Sequence, residues 1–296
     1  MQINEEKFGQ AVKSGDVGLM NNILLQEPSL DVNGTIEGEI DGECCCLPFI
    51  LFAPDLDTIR LLLDRGANPN TCFFNLYDES GKEIRLLQRW CRERDESAAH
   101  AVTELLLQRG ADPDLPEYDG RSYEFCLNSA VESRNIERVA LLLKYGANPD
   151  IVCPDHDEVN ETPLMRCLLR SRMDKIDFRI VELLLEHGAE ATTFTLFENE
   201  NHVREEESVT NFFLYKAGPL TKYDAKVVKL LLKRGACPYA MFQDQMTDRL
   251  QQRMDPFQEA LNKDQFKIAS LVLKARAADI EVRRVAVKSR KRKCRS

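Results

Sequence analysis

One phrase recurs along this chain: a leucine run, one or two charged or polar residues, then Gly-Ala, and in most copies Asp or Asn followed by Pro. It reads LLLDRGANP at 61–69, LLLQRGADP at 105–113, LLLKYGANP at 141–149, LLLEHGAEA at 183–191 and LLLKRGACP at 230–238. The marker glycines Gly66, Gly110, Gly146, Gly188 and Gly235 stand 44, 36, 42 and 47 residues apart. Units this short cannot bury their apolar faces alone and become stable by stacking on copies of themselves. The phrase therefore points to an all-α solenoid of helix pairs, each packed on its sequence neighbours.

The clearest unit runs over 160–188. Thr162 has the hydroxyl of a helix cap, and Pro163 fits the first turn, where its missing N–H costs nothing. Leu164, Cys167 and Leu168 then recur at helical spacing. After a polar break at 171–174, a second helix carries Ile176, Phe178, Ile180, Val181 and the triplet Leu183, Leu184, Leu185. Gly188 closes it, because glycine accepts the left-handed backbone that ends many helices. The same grammar predicts seven units, at about 5–33, 47–70, 82–114, 119–150, 160–191, 205–238 and 255–280. Together they make an array over 1–282, followed by a basic tail over 283–296. In the last unit Arg276 stands in the glycine's place. The run CCCLPFILF at 44–52 is expected to be buried helix rather than an exposed patch.

These residues resemble the ankyrin-repeat family. Thr162-Pro163-Leu164-Met165 is similar to that family's Thr-Pro-Leu-His helix start. Gly66-Ala67-Asn68-Pro69, Gly110-Ala111-Asp112-Pro113 and Gly146-Ala147-Asn148-Pro149 resemble its repeat ending, and Gly15-Asp16 its turn between paired helices. The resemblance covers 5–280. The departures are a mean step of 42 residues from Gly66 to Arg276, against about 33 for the family, and long stretches at 70–82, 190–205 and 239–254. The helix-start histidine is missing, with Ile50, Met165 and Gln258 in its place, so its hydrogen bond to loop backbone is absent or made otherwise. The resemblance implies a protein-interaction scaffold that meets its partner through inter-repeat loops and a concave face. Two other roles stay open under it: a substrate-recruiting adaptor for a ubiquitin ligase or other enzyme, and a bacterial or viral effector acting on host proteins.

The loops carry the candidate partner-binding residues. Asp112, Asp114, Glu117, Tyr118 and Asp119 form an acidic strip with an aromatic, joined by Tyr123. Asp150, Asp155, Asp157 and Glu158 follow in the next unit, and Asp31, Glu37, Glu39, Asp41 and Glu43 make a third acidic group. Stacked along one edge, they would steer in a protein with a basic surface. The alternative is that the acids only keep a leucine-rich array in solution. Phe194, Leu196 and Phe197 either anchor a partner or pin their own loop.

Charge is unevenly placed. The net charge is −9, yet 283–295 holds eight basic side chains and no acid, and taking these away leaves −17. An acidic array disfavours nucleic acid. For the tail three readings stand open: an import signal made of Lys288, Arg290, Lys291, Arg292 and Lys293, a contact for acidic lipid or nucleic acid, or a solvated end. No apolar run reaches the roughly 20 residues of a membrane helix. The acidic start MQINEEKFGQ is unlike a signal peptide, which predicts a cytoplasmic protein, with the nucleus as a second place if the tail directs import. The 10 cysteines contain no Cys-x2-Cys pair, so neither disulfides nor structural metal is expected. No phosphate loop, His-Glu-x-x-His or Gly-x-Ser-x-Gly motif occurs. The one nucleophile-and-base grouping, Cys153 with His156 between Asp155 and Asp157, sits in a loop. No enzyme activity and no cofactor are expected.

Overall fold

The computed structural model describes residues 2–40, 43–74, 83–93, 96–118, 123–152, 162–170, 172–191, 193–198, 204–208, 213, 221–239, 257, 260 and 265–293. The chain divides into two compact units, Met1–Asn148 and Pro149–Ser296.

In the first unit, α1 (Gln2–Ser14) and α2 (Val17–Gln26) form the opening pair. Gly15 turns between them at φ 69°, and the Asp16 carboxylate caps α2 by accepting from the Leu19 N–H at 2.8 Å. A hairpin of β1 (Thr35–Ile40) and β2 (Glu43–Pro48) leads to the 3-10 turn η1 (Phe49–Phe52) and α3 (Leu56–Asp64). A second hairpin, β3 (Cys72–Phe74) and β4 (Glu83–Arg85), precedes α4 (Leu86–Cys91) and α5 (Glu96–Gln108). The unit closes with β5 (Glu117–Tyr118), β6 (Tyr123–Glu124), α6 (Cys126–Glu132) and α7 (Ile136–Lys144). Asp55 and Asn135 cap α3 and α7, accepting from the Thr58 and Arg138 N–H groups.

The second unit holds α8 (Pro163–Leu168) and α9 (Lys175–Glu186), the hairpin β7 (Thr193–Glu198) with β8 (Arg204–Ser208), α10 (Lys222–Lys233) and the long α11 (Phe266–Lys293). The Thr162 hydroxyl caps α8 by accepting from the Met165 N–H at 3.2 Å. Reciprocal capping boxes, Asp174 with Asp177 and Thr221 with Asp224, start α9 and α10. The Thr221 hydroxyl also donates to the Met173 carbonyl at 2.9 Å, tying the start of α10 to the preceding helix pair.

The recurring phrase is the closure of each second helix. Gly66, Gly110, Gly146, Gly188 and Gly235 all have φ between 86° and 98°. The alanine after each glycine donates its N–H back to the middle leucine of the triplet: Ala67 to Leu62, Ala111 to Leu106, Ala147 to Leu142, Ala189 to Leu184 and Ala236 to Leu231, at 2.9–3.0 Å. This is the Schellman bond, which satisfies a helix-end carbonyl and brings the following apolar residue onto the last turn. Those five leucines are completely buried, and the five alanines are buried with them. Leucine, glycine and alanine are thus one device.

Two features depart from the periodicity. Four antiparallel two-stranded hairpins stand among the described residues, where the sequence showed only irregular insertions. The expected helix over 44–52 is also not formed. Residues Glu43–Pro48 are strand β2, and only Phe49–Phe52 turn. Pro48 is the cause: it pushes the preceding residue into extended backbone and cannot donate into a helix. The burial expectation holds where it can be read, since Leu47, Phe49, Ile50 and Leu51 are core. Among the described residues, no helix is long and apolar enough to cross a membrane.

Candidate interaction surface

The repeat endings carry two polar side chains on either side of one residue, usually proline, and each has its own task. The first closes its own turn. Asp31, Asn68 and Asp112 accept from the N–H two residues on, at 2.9 Å in each case. The second reaches the next repeat. Asn33 accepts from the Asn68 N–H at 2.8 Å, Asn70 from Asp112 at 2.7 Å and Asp114 from Asn148 at 2.9 Å. In the second unit Asp150 accepts from Glu190 at 2.8 Å. Where that second residue is asparagine, its amide also donates to the neighbouring glycine carbonyl, Asn33 to Gly66 at 3.3 Å and Asn70 to Gly110 at 3.2 Å.

Asp112, Asp114 and Asp150 are therefore engaged in the scaffold as well as being candidate contacts. Asp112 is exposed, while Asp114 and Asp150 are half-buried. Burial raises the Asp114 carboxyl above its ordinary range. The bond from Asn148 opposes this and the charge on Asp112 adds to it. Asp150 is raised in the same way, by burial against the bond from Glu190 and with its charge.

Glu117 faces inward. It is only 3% exposed, where the sequence suggested a projecting acid. One carboxylate oxygen accepts from the Arg85 N–H at 3.2 Å, and the other pairs with the Arg92 guanidinium. The Arg85 guanidinium donates to the Pro116 carbonyl and pairs with Glu83. Burial raises the Glu117 carboxyl, with Arg92 opposing. The reason for the inward turn is strand alternation: adjacent residues of β5 point to opposite faces. With Glu117 anchored to the previous repeat, Tyr118 lies on the other side.

There it meets Tyr123 across the hairpin. The two residues are register partners, their ring centroids are 5.1 Å apart and the planes are inclined by 46°. Tyr123 is 39% exposed. An aromatic pair on a pinned hairpin would lose little freedom on meeting a partner. Also in the first unit, Val32, Asn33, Pro48, Ile50, Asn68, Asn70, Thr71 and Cys72 line a groove of about 520 Å³.

Other candidate residues are placed as follows. Asp119, Asp155, Asp157 and Glu158 lie outside the described residues, as do Cys153 and His156. Lys288, Arg290, Lys291, Arg292 and Lys293 lie on α11, so the basic segment to Lys293 is helical and continuous with the array's last helix. Phe194, Leu196 and Phe197 lie on β7.

Sequence reasoning missed two groups. Gln88 stands at the position that Met165 holds in its helix start, and its amide donates to the Leu115 carbonyl before the β5–β6 hairpin. The position was legible from the alignment of Arg85-Leu86-Leu87-Gln88 with Thr162-Pro163-Leu164-Met165. The second is on the second unit, where the Lys226 ammonium sits 5.1 Å from the Tyr223 ring centroid and 5.4 Å from that of Phe178. No motif announces it.

No family model matches the chain. One curated relative, the "Ankyrin repeat, SAM and basic leucine zipper domain-containing protein 1" of Carollia perspicillata, is 30% identical over 111 residues. The match covers 38% of this chain and 21% of that protein, so the chain spans about a fifth of the length of the relative it matches. Among solved structures, an ankyrin repeat domain from Acinetobacter baumannii AYE is 17% identical at a TM-score of 0.41, covering 90% of this chain and 96% of that one. In its glycine-closed second helices and in its match to this curated relative, the chain is similar to ankyrin-repeat proteins.

Proposed function

We propose that this chain is a protein–protein interaction module whose partner seats on the hairpin edge of the first unit, centred on Tyr118 and Tyr123. The observation that carries this is the pinned aromatic pair. Glu117 fixes the hairpin from below through Arg85 and Arg92, and Tyr123 is left exposed above. Tyrosine offers large contact area with few rotatable bonds, which is why it is favoured at interface centres. Asp112 lies exposed on the preceding turn and supplies negative charge at the rim. A partner with a basic rim around an apolar centre fits that arrangement.

The test is a photo-crosslinking amino acid at position 123 of the full chain in eukaryotic lysate, with the same group at Lys144 as the control site. A protein crosslinked from 123 and not from 144 identifies the partner. Tyr123→Ala is then expected to weaken its binding by about tenfold or more, with thermal stability almost unchanged. A partner captured equally from both sites, or bound equally well by Tyr123→Ala, would show that the hairpin edge is not the interface.

A further inference from the structure

Three places before the first leucine of each triplet stands a residue that faces the interior. In four repeats it is Thr58, Val102, Ile180 or Val227, each completely buried. In the repeat of α6 and α7 it is Arg138, which is 7% exposed. A charge at such a position is costly, because burial strips away its water and leaves it to be compensated from within. Its place in the first turn of α7 adds to the cost, since a helix N-terminus disfavours a cation.

The compensation is incomplete. The Arg138 guanidinium donates to the Cys91 carbonyl at the end of α4. That bond occupies one of the five N–H donors an arginine carries. Among the described residues no carboxylate pairs with it.

Arg138 lines a cavity of about 430 Å³ at the turns between the paired helices, where α4 and α6 end. Of the other lining residues, Cys91 is buried, and Arg92, Glu93 and Ser133 are exposed. Most of the polar groups are already engaged. Arg92 is matched by Glu117. The Ser129 hydroxyl donates to Glu124 at 2.9 Å and that of Ser133 to the Ala130 carbonyl at 3.2 Å. Asn135 uses its side-chain oxygen to accept from the Arg138 N–H at 2.9 Å, and its amide NH₂ donates to no described residue. The guanidinium and this amide are the donors left to the cavity.

We infer that the cavity binds a carboxylate, held by the Arg138 guanidinium fork and the Asn135 amide. A guanidinium matches the two oxygens of a carboxylate in a bidentate pair. The charge count favours this anion over phosphate. One positive charge is uncompensated, and the exposed Glu93 opposes a dianion. A cavity of this size admits a side chain with its adjoining backbone, so an acidic residue or a peptide's free C-terminus can supply the group. The site does not depend on the tyrosine edge.

The test follows the Arg138 side-chain N–H signal of the isotope-labelled full chain by NMR, identified by its loss in Arg138→Lys. N-acetylglutamate N-methylamide is titrated as the internal acid, N-acetylglycine as the chain end and N-acetylglutamine N-methylamide as the neutral control, all at constant ionic strength. A saturable shift is expected with the acids and none with the neutral amide, and the tighter acid names the source of the carboxylate. Read from the Asn135 side-chain amide, Arg138→Lys is expected to bind about tenfold more weakly, and Arg138→Leu to lose binding. Arg138→Leu should keep the melting temperature, because apolar residues fill this position in other repeats. Arg138→Lys keeps the charge and tests the fork even where Leu disturbs folding. The proposal would be overturned by no saturable shift with either acid, or by equal shifts with acid and neutral amide. Tighter binding of inorganic phosphate than of either acid would also overturn it, as would carboxylate binding retained in full by Arg138→Leu.

Discussion

A single carboxylate at Asp114 shows how tightly this scaffold is specified. It accepts from the Asn148 N–H at 2.9 Å and is raised by burial. The folded state therefore holds that proton more tightly than the unfolded chain. Stability falls as pH rises from the ordinary carboxylate range to the raised value, and then levels. Asp114→Asn removes the charge, keeps the acceptor and adds an amide of the kind that Asn70 directs at Gly110. Asn at 114 is expected to match or exceed the natural melting temperature at neutral pH and to flatten the fall in stability above about pH 4, the ordinary carboxylate range. Asp114→Ala loses the acceptor and is expected to cost about 1 kcal/mol. Thermal melts of the three proteins across pH distinguish these outcomes; an Asn variant as unstable as Ala would refute the account. Gly146 tests the turn itself. A Cβ there meets nothing within 4 Å, so Gly146→Ala is strained only by its φ of 90°. The expected cost is about 1–2 kcal/mol, read as a shift in the denaturant midpoint with an unchanged slope.

Among the elements, the hairpins are where local and tertiary forces meet. β5–β6 is only two residues on each side, too short to stand alone in water. It is held by Glu117, whose acceptors serve the Arg85 N–H and the Arg92 guanidinium, and by the Gln88 amide on Leu115. Glu117→Ala removes the acceptor of the Arg85 N–H and the Arg92 guanidinium and is expected to cost about 1–3 kcal/mol. Glu117→Gln keeps an acceptor for Arg85 and is expected to cost less. Amide hydrogen exchange at Tyr118 reads the effect directly. Faster exchange in Glu117→Ala than in Glu117→Gln supports the anchor, and identical rates would exclude it.

At the scale of the whole molecule, a repeat array has local stability, because each pair packs on its neighbours. Leu142 and Leu231 are both fully buried under their own Schellman turns, in the first and second unit respectively. Truncation of either to alanine is expected to cost about 2–5 kcal/mol. Hydrogen exchange should place the loss differently: around α5, α6 and α7 for Leu142→Ala, and around α9, α10 and α11 for Leu231→Ala. Uniform loss of protection along the chain in both variants would mean that the array unfolds as one body.

The phrase Leu-Leu-Leu-x-x-Gly-Ala determined the helix ends by itself, because a left-handed glycine and a back-bonded alanine are local requirements. Thr162-Pro163 likewise announced its helix through a cap and a first-turn proline, and the repeat spacing announced the stacking. What only tertiary structure decided was the fate of the residues between those signals. Asp114 and Glu117 look alike in sequence. One accepts from the next repeat's backbone and the other is buried against the previous repeat's arginines. Residues 44–48 look like the start of a buried helix and pair instead with Thr35–Glu39. Leu273 repeats the pattern of Leu63, Leu107, Leu143 and Leu185 yet is 48% exposed. Capping and periodicity are written in neighbouring residues. Pairing, burial and charge compensation depend on partners some 25 to 47 residues away, as with Arg92 and Glu117 or Arg138 and the Cys91 carbonyl.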